Sequence, residues 1–274
     1  MLDLAICNEL LSEEGLGLRE QAALARDLGY AGLEVAPFTL GPDPHLIGPE
    51  DAAKIRAGIE AEGVRVTGLH WLLTHVPDAS IIDPERQEAA QAILIGLAEL
   101  CAALGGRVMV HGSPPSRVRP DGMPEDALIE RLAAFFAPIA ERCGDLGLTY
   151  CIEPLAESET IHTVAEGAAL VDAVGHPAFL TMIDCSAAGQ TEPPVADLIR
   201  AWAPTGKLGH IHANDSNRGA PGMGDDPFCD IVRALVETGW PHPLGVEPFR
   251  TLIDARITAA TAIATLRACE RACA

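Results

Sequence analysis

Short apolar runs alternate along the chain with longer runs dominated by Ala and Leu. The short runs cover residues 2–7, 32–36, 64–71, 107–111, 148–153, 179–184, 207–213 and 243–247, and each predicts a strand. The longer runs predict helices over 17–28, 49–62, 84–104, 124–146, 163–174, 194–203, 227–237 and 252–273. Gly29, Gly63, Gly105, Gly147, Gly175 and Gly239 stand just past helix ends, where a left-handed residue closes the last turn. Pro49, Pro84, Pro124, Pro194 and Pro227 stand where helices begin, a position that needs no backbone N–H. Eight strand–helix pairs in sequence call for a parallel sheet with right-handed crossovers.

Eight such units in 274 residues fit one (β/α)8 TIM barrel spanning residues 1–274, since barrels of this kind run to ~250 residues. A doubly wound open sheet would want a Gly-rich turn after the first strand, and Cys7-Asn8-Glu9-Leu10 offers none. The longest strand-to-helix connections are 37–48, 72–83, 112–122 and 214–226. All leave the C-terminal ends of strands, where a barrel carries its active site.

Composition narrows the partners. Hydrophobic residues make up 48%, enough for a large core without disulfides or structural metal. The net charge of −20 repels a phosphate backbone, which disfavours nucleic acid and anionic membrane. The eight cysteines form no CxxC pair and no zinc-finger spacing, and several sit in apolar runs, as in a reducing cytoplasm. The first residues lack a basic stretch and carry Asp3, so they do not read as a secretory signal. The apolar stretch 89–106 contains Gln91 and Glu99 and is short for a membrane span; it reads as a buried helix.

Polar residues close seven of the strands: Glu34, His70, His111, Glu153, Asp184, His212 and Glu247. Glu153, Asp184, His212 and Glu247 close four consecutive strands, whose neighbours lie ~4.8 Å apart, so their side chains can converge on one ion. Three carboxylates and an imidazole suit Mn²⁺, with Mg²⁺, Co²⁺ or Zn²⁺ as alternatives. Glu153 and Glu247 share a context, Ile152-Glu153-Pro154 and Val246-Glu247-Pro248, in which proline ends the strand and fixes the exit point. His210 shares the face of His212 one layer deeper and reads as a core histidine. His70 and His111 are placed at the mouth as candidates to bind substrate hydroxyls. Arg218 is a cation in an acidic neighbourhood and a candidate to bind substrate, and Trp71 and Phe249 suit an apolar wall.

Taken together, Gly68-Leu69-His70-Trp71-Leu72-Leu73, Gly112-Ser113-Pro114, Ile152-Glu153-Pro154-Leu155, Ile183-Asp184, Gly209-His210-Ile211-His212-Ala213 and Val246-Glu247-Pro248-Phe249 resemble the xylose-isomerase-like sugar isomerase/epimerase barrels, and within them the tagatose/psicose 3-epimerase group. The resemblance implies one divalent metal held by Glu153, Asp184, His212 and Glu247. It implies Glu153 and Glu247 as the acid/base pair, and Glu159 and Arg218 as substrate-contacting residues. One departure stands out: those epimerases carry a histidine three residues after the metal aspartate, and this chain has Ala187.

The expected chemistry is proton transfer beside a carbonyl through an enediolate. Epimerisation, isomerisation and dehydration of a keto-polyol (inosose or dehydroshikimate type) all share that chemistry. An endonuclease IV-like DNA repair enzyme uses a similar barrel, but Ala187 and the absence of a later Asp-x-His remove ligands it needs. A non-catalytic sugar-binding subunit is the remaining alternative. The expected partner is a small sugar or keto-polyol, in a cytoplasmic chain compatible with a homo-oligomer.

Overall fold

The structure, a computed structural model, describes residues 1–273. Eight parallel strands close into a barrel in sequence order: β1 (Leu4–Cys7), β2 (Gly32–Val35), β3 (Arg65–Leu69), β4 (Val108–His111), β5 (Thr149–Ile152), β6 (Phe179–Asp184), β7 (Leu208–Ala213) and β8 (Leu244–Val246). The seam closes through Leu4 beside Leu244 and Ile6 beside Val246. The sequence-derived barrel and all eight of its strands are present.

The helices are α1 (Glu9–Glu13), α2 (Leu18–Leu28), α3 (Pro49–Glu60), α4 (Pro84–Leu104), α5 (Glu125–Asp145), α6 (Val164–Val174), α7 (Cys185–Thr191), α8 (Val195–Trp202), α9 (Phe228–Thr238) and α10 (Ala255–Cys273). Two were absent from the sequence pattern. The helices α1 and α7 are single short segments directly after β1 and β6, too short for an amphipathic period to show. Helix α4 begins with Asp83, whose carboxylate accepts from the Glu85 amide at 3.0 Å, a cap worth about 1 kcal/mol. It is the one described helix long and apolar enough to cross a membrane. Here it packs in the outer ring against α3 and α5, burying Leu94, Leu97, Ala98 and Cys101.

Strand parity decides what faces the axis. Val108, Val110, Cys151 and Met182 form a small apolar cluster separate from the large core under the helices. Counting by two from these residues along β5 and β6 brings Glu153 and Asp184 to the same inward face at the C-terminal mouth. On β4 the same count reaches Gly112 and not His111.

Candidate active site

Four strand ends bring Glu153, Asp184, His212 and Glu247 together. All are buried, and one ligand atom from each lies within 4.8 Å of those of the others. The local backbone explains why each is there. Asp184 caps α7: its Oδ1 accepts from the Ala187 amide at 2.7 Å, and its Oδ2 accepts from Asn214 Nδ2 at 2.6 Å. Glu153 follows β5, its amide donating to the His111 carbonyl at 3.1 Å and its own carbonyl accepting from Arg117 Nη1 at 2.7 Å. Gly112 supplies the space for the Glu153 carboxylate, since a Cβ at that position would collide with Oε2. Glu247 accepts from the Trp71 indole at 2.7 Å.

His212 is held from below. Its Nε2 donates to Glu34 Oε1 at 2.9 Å, while His210 Nε2 donates to Glu34 Oε2 at 3.0 Å. One carboxylate therefore fixes both imidazoles and turns Nδ1 of His212 toward the mouth. That Nδ1 lies 2.8 Å from Glu247 Oε2, yet the two atoms are not aligned for a hydrogen bond, and neither has another partner. Two buried ligand atoms facing one another at this distance, out of alignment for a hydrogen bond, are what a bound cation would satisfy. The donor set fits the expected divalent ion.

The electrostatics follow from burial and crowding. Burial, with Glu247 and Asp184 alongside, pushes the Glu153 carboxyl well above the usual range. The same causes, burial first and then Glu247, bring Asp184 up to about 6. Burial acts on Glu247 too, but His212 and His70 outweigh it and hold that carboxyl below its ordinary value. Burial would lower His212; Glu247 and Glu34 overcome it and hold the imidazole well above the ordinary range.

Above the four residues opens a cavity of about 210 Å³ lined by Trp71, Glu157, Ala187, Arg218 and Phe249 among others. Trp71 and Phe249 stack with ring centres 6.1 Å apart, and the Arg218 guanidinium lies 4.8 Å over the Phe249 ring. Trp71 and Arg218 hold left-handed backbones, with φ of 56° and 66°, uncommon for side chains of this size and concentrated at functional sites.

Three sequence-based site residues lie elsewhere. His111 faces outward: Nδ1 meets the Tyr150 hydroxyl at 2.6 Å, Nε2 meets Ser116 Oγ at 3.0 Å, and the ring packs edge-on against Phe136 of α5. Both nitrogens are spent and the ring has no exposure, so the expected contact with substrate is corrected. Glu159 accepts from the Arg119 amide at 3.0 Å outside the cavity, and Glu157 takes the wall position expected of it. His70 lies beneath the mouth, fully buried, with Nε2 2.8 Å from Glu9 Oε2 and 4.0 Å from Glu247 Oε1; it braces the site and does not line the cavity.

Sequence reasoning missed Glu9, read Arg117 only as a scattered cation able to meet a phosphate and Asn214 only as part of the segment after His212, and assigned Glu34 no task. Their contacts join distant segments, and the only signal was a polar residue beside an apolar strand.

The sequence pattern of the xylose isomerase-like TIM barrel family matches residues 22–269. A D-psicose 3-epimerase from Agrobacterium fabrum is 37% identical over 113 residues, covering 40% of this chain and 38% of that protein. An L-ribulose 3-epimerase from Mesorhizobium japonicum is 31% identical over 136 residues, 48% of this chain and 45% of that protein. The chain thus aligns with less than half the length of either epimerase. A putative hydroxypyruvate isomerase from Streptomyces coelicolor is 27% identical over 252 residues, 85% of each chain. Among solved structures, an L-ribulose 3-epimerase shares the fold with a TM-score of 0.81 at 24% identity, covering 100% of this chain and 96% of that one. With the family pattern matched from the second helix to the last, and the same closed barrel beneath it, this chain belongs to the xylose isomerase-like TIM barrel family.

Proposed function

We propose that the chain is a divalent-metal-dependent sugar isomerase or epimerase, working by proton transfer next to a carbonyl. The observation that carries this reading is the convergence of Glu153, Asp184, His212 and Glu247, with Nδ1 of His212 and Oε2 of Glu247 buried and unpartnered. Those four residues would hold the ion, Mn²⁺ by preference for an oxygen-rich set. A bound divalent ion supplies Lewis-acid polarisation of adjacent substrate oxygens.

The chain's own groups supply the rest. One of Glu153 and Glu247 removes the carbon-bound proton beside the carbonyl, and the other returns a proton to the enediolate. Their opposite environments, one carboxyl pushed up and one held down, suit an acid and a base. Arg218 and Glu157 on the cavity wall would orient hydroxyls, and Trp71 with Phe249 would cover the apolar face of the sugar and exclude water.

The relatives support epimerisation, in which the proton returns to the same carbon. The hydroxypyruvate isomerase likeness covers far more of the chain and supports return at the neighbouring carbon as a second reading. A DNA-repair role loses support twice: His111 faces away from the site, and the charge is −20.

The test is NMR of fructose, tagatose, psicose, ribulose and inososes incubated with Mn²⁺-loaded protein in D₂O. Deuterium at C3 of a ketose supports the epimerase and at C1 the isomerase. No exchange on any keto-sugar overturns the proposal.

A further inference from the structure

A second depression, of about 640 Å³, lies between the loops that follow β3 and β4. Thr74, Ser113 and Pro115 line both it and the cavity over the four strand-end residues, so the two spaces share a wall. The loops are tied together there. Thr74 Oγ1 lies 3.0 Å from Ser113 Oγ, and the Ile81 amide donates to the Ser116 carbonyl at 2.8 Å. The groove is thus a built feature with two hydroxyls on the rim that separates it from the cavity.

Its lining identifies the occupant. The cations there are Arg86 and Arg119, and both are engaged. Arg86 pairs with Asp83 at 3.3 Å and Asp78 at 3.9 Å; Arg119 pairs with Glu125 at 2.6 Å and donates to the Met123 carbonyl. A phosphate would have to break these pairs in a chain that already carries −20. Val76, Ala79, Pro84, Val118 and Pro120 supply apolar surface between the polar groups. Apolar patches with scattered hydroxyls and spent charges match a neutral sugar ring, which presents C–H on its faces and O–H around its edge. Ala187 lines the cavity over the strand-end residues and leaves it without a bulky side chain at that position.

From this geometry we infer that the substrate is a keto-sugar bearing a neutral glycosyl substituent, with its reacting unit over the strand-end residues and its second ring in the groove between the loops. The inference rests on the proton-transfer reading above and names its substrate class. Thr74 and Ser113 lie where the linking oxygen would cross, and their hydroxyls would donate to it.

The experiment compares deuterium exchange on fructose, 4-O- and 6-O-glucosyl-fructose and fructose 6-phosphate, using Mn²⁺-loaded wild-type protein and V118W. Val118 is 51% exposed and lines the groove but not the cavity, so a tryptophan there fills the groove without entering the barrel. At least one glucosyl-fructose should exceed fructose in kcat/KM by about tenfold, equivalent to about 1.4 kcal/mol, and fructose 6-phosphate should not. V118W should remove that advantage and leave exchange on fructose unchanged, while V118A should keep it. Equal rates on fructose and both disaccharides overturn the inference while the proton-transfer reading stands. A preference for the phosphate, or V118W slowing all substrates alike, also overturns it. No exchange anywhere overturns both.

Discussion

Substituting Glu34 by glutamine tests how the site holds its imidazole. The carboxylate accepts from Nε2 of both His210 and His212, at 3.0 and 2.9 Å. A glutamine keeps the shape but has one accepting oxygen and one donating NH₂, so it can satisfy only one ring as before. The other ring must accept at Nε2 and carry its proton on Nδ1. For His210 that proton would face no acceptor, because its Nδ1 is buried without a partner, at a cost of about 1–3 kcal/mol. For His212 the proton would find Glu247 Oε2, 2.8 Å away. The amide therefore turns its NH₂ toward His212, and the proton lands on the nitrogen proposed to hold the metal. Loss of such a supporting contact typically weakens metal affinity ~10–100-fold, about 1.4–2.7 kcal/mol. The assay is Mn²⁺ titration of E34Q and wild type, with the free ion followed by electron paramagnetic resonance. A folded E34Q that binds Mn²⁺ within about twofold of wild type refutes the reasoning.

Three further outcomes are expected. Metal-loaded wild type should hold close to one ion per chain by elemental analysis, and Asp184→Ala should lose it; unchanged stoichiometry removes Asp184 from the site. Glu153→Gln and Glu247→Gln should each lower turnover ~10²-fold or more, measured with metal content alongside, because positioned proton transfer contributes at least that much. Burial, aided by Arg117, drops His111 to about 3, whereas the unfolded chain protonates near 6.5. The unfolded state then binds the extra proton, so this residue removes stability as pH falls below 6.5, by about 2 kcal/mol at pH 5. Urea unfolding of wild type and His111→Gln at both pH values should show that difference, and parallel pH curves would exclude it.

The barrel was legible because most of its elements are bounded by chemistry that local sequence carries: a glycine past a helix, a proline at a helix start, an apolar run between. The four strand-end residues were legible for a related reason, since Glu153 and Glu247 stand in the same strand–proline frame. His111 was misread because β4 is buried on both faces, so nothing in Val108-Met109-Val110-His111 says which parity looks inward. The glycine at 112 held the answer, as the inward position that must stay empty for Glu153. Glu9 and Glu34 eluded the sequence because their partners stand 61 and 176 or more positions away, beyond any local pattern. Helix α7 hid behind Asp184, which serves at once as strand end, helix cap and site residue.

The Glu34 and Trp71 contacts have a consequence for the order of assembly. Both reach from the second and third strands to the last two, across 178 and 176 residues, and they form only when the β1–β8 seam closes. Until then Nδ1 of His212 has no fixed direction and Glu247 no indole to hold it, so capture of the proposed ion would belong to the end of folding. Such distant pairings are slow to form. A ligand bound only after the rate-limiting closure should leave the refolding rate unchanged and slow unfolding instead. Rising Mn²⁺ should then move one arm of the chevron and not the other, making the ion a latch on a barrel that has already shut.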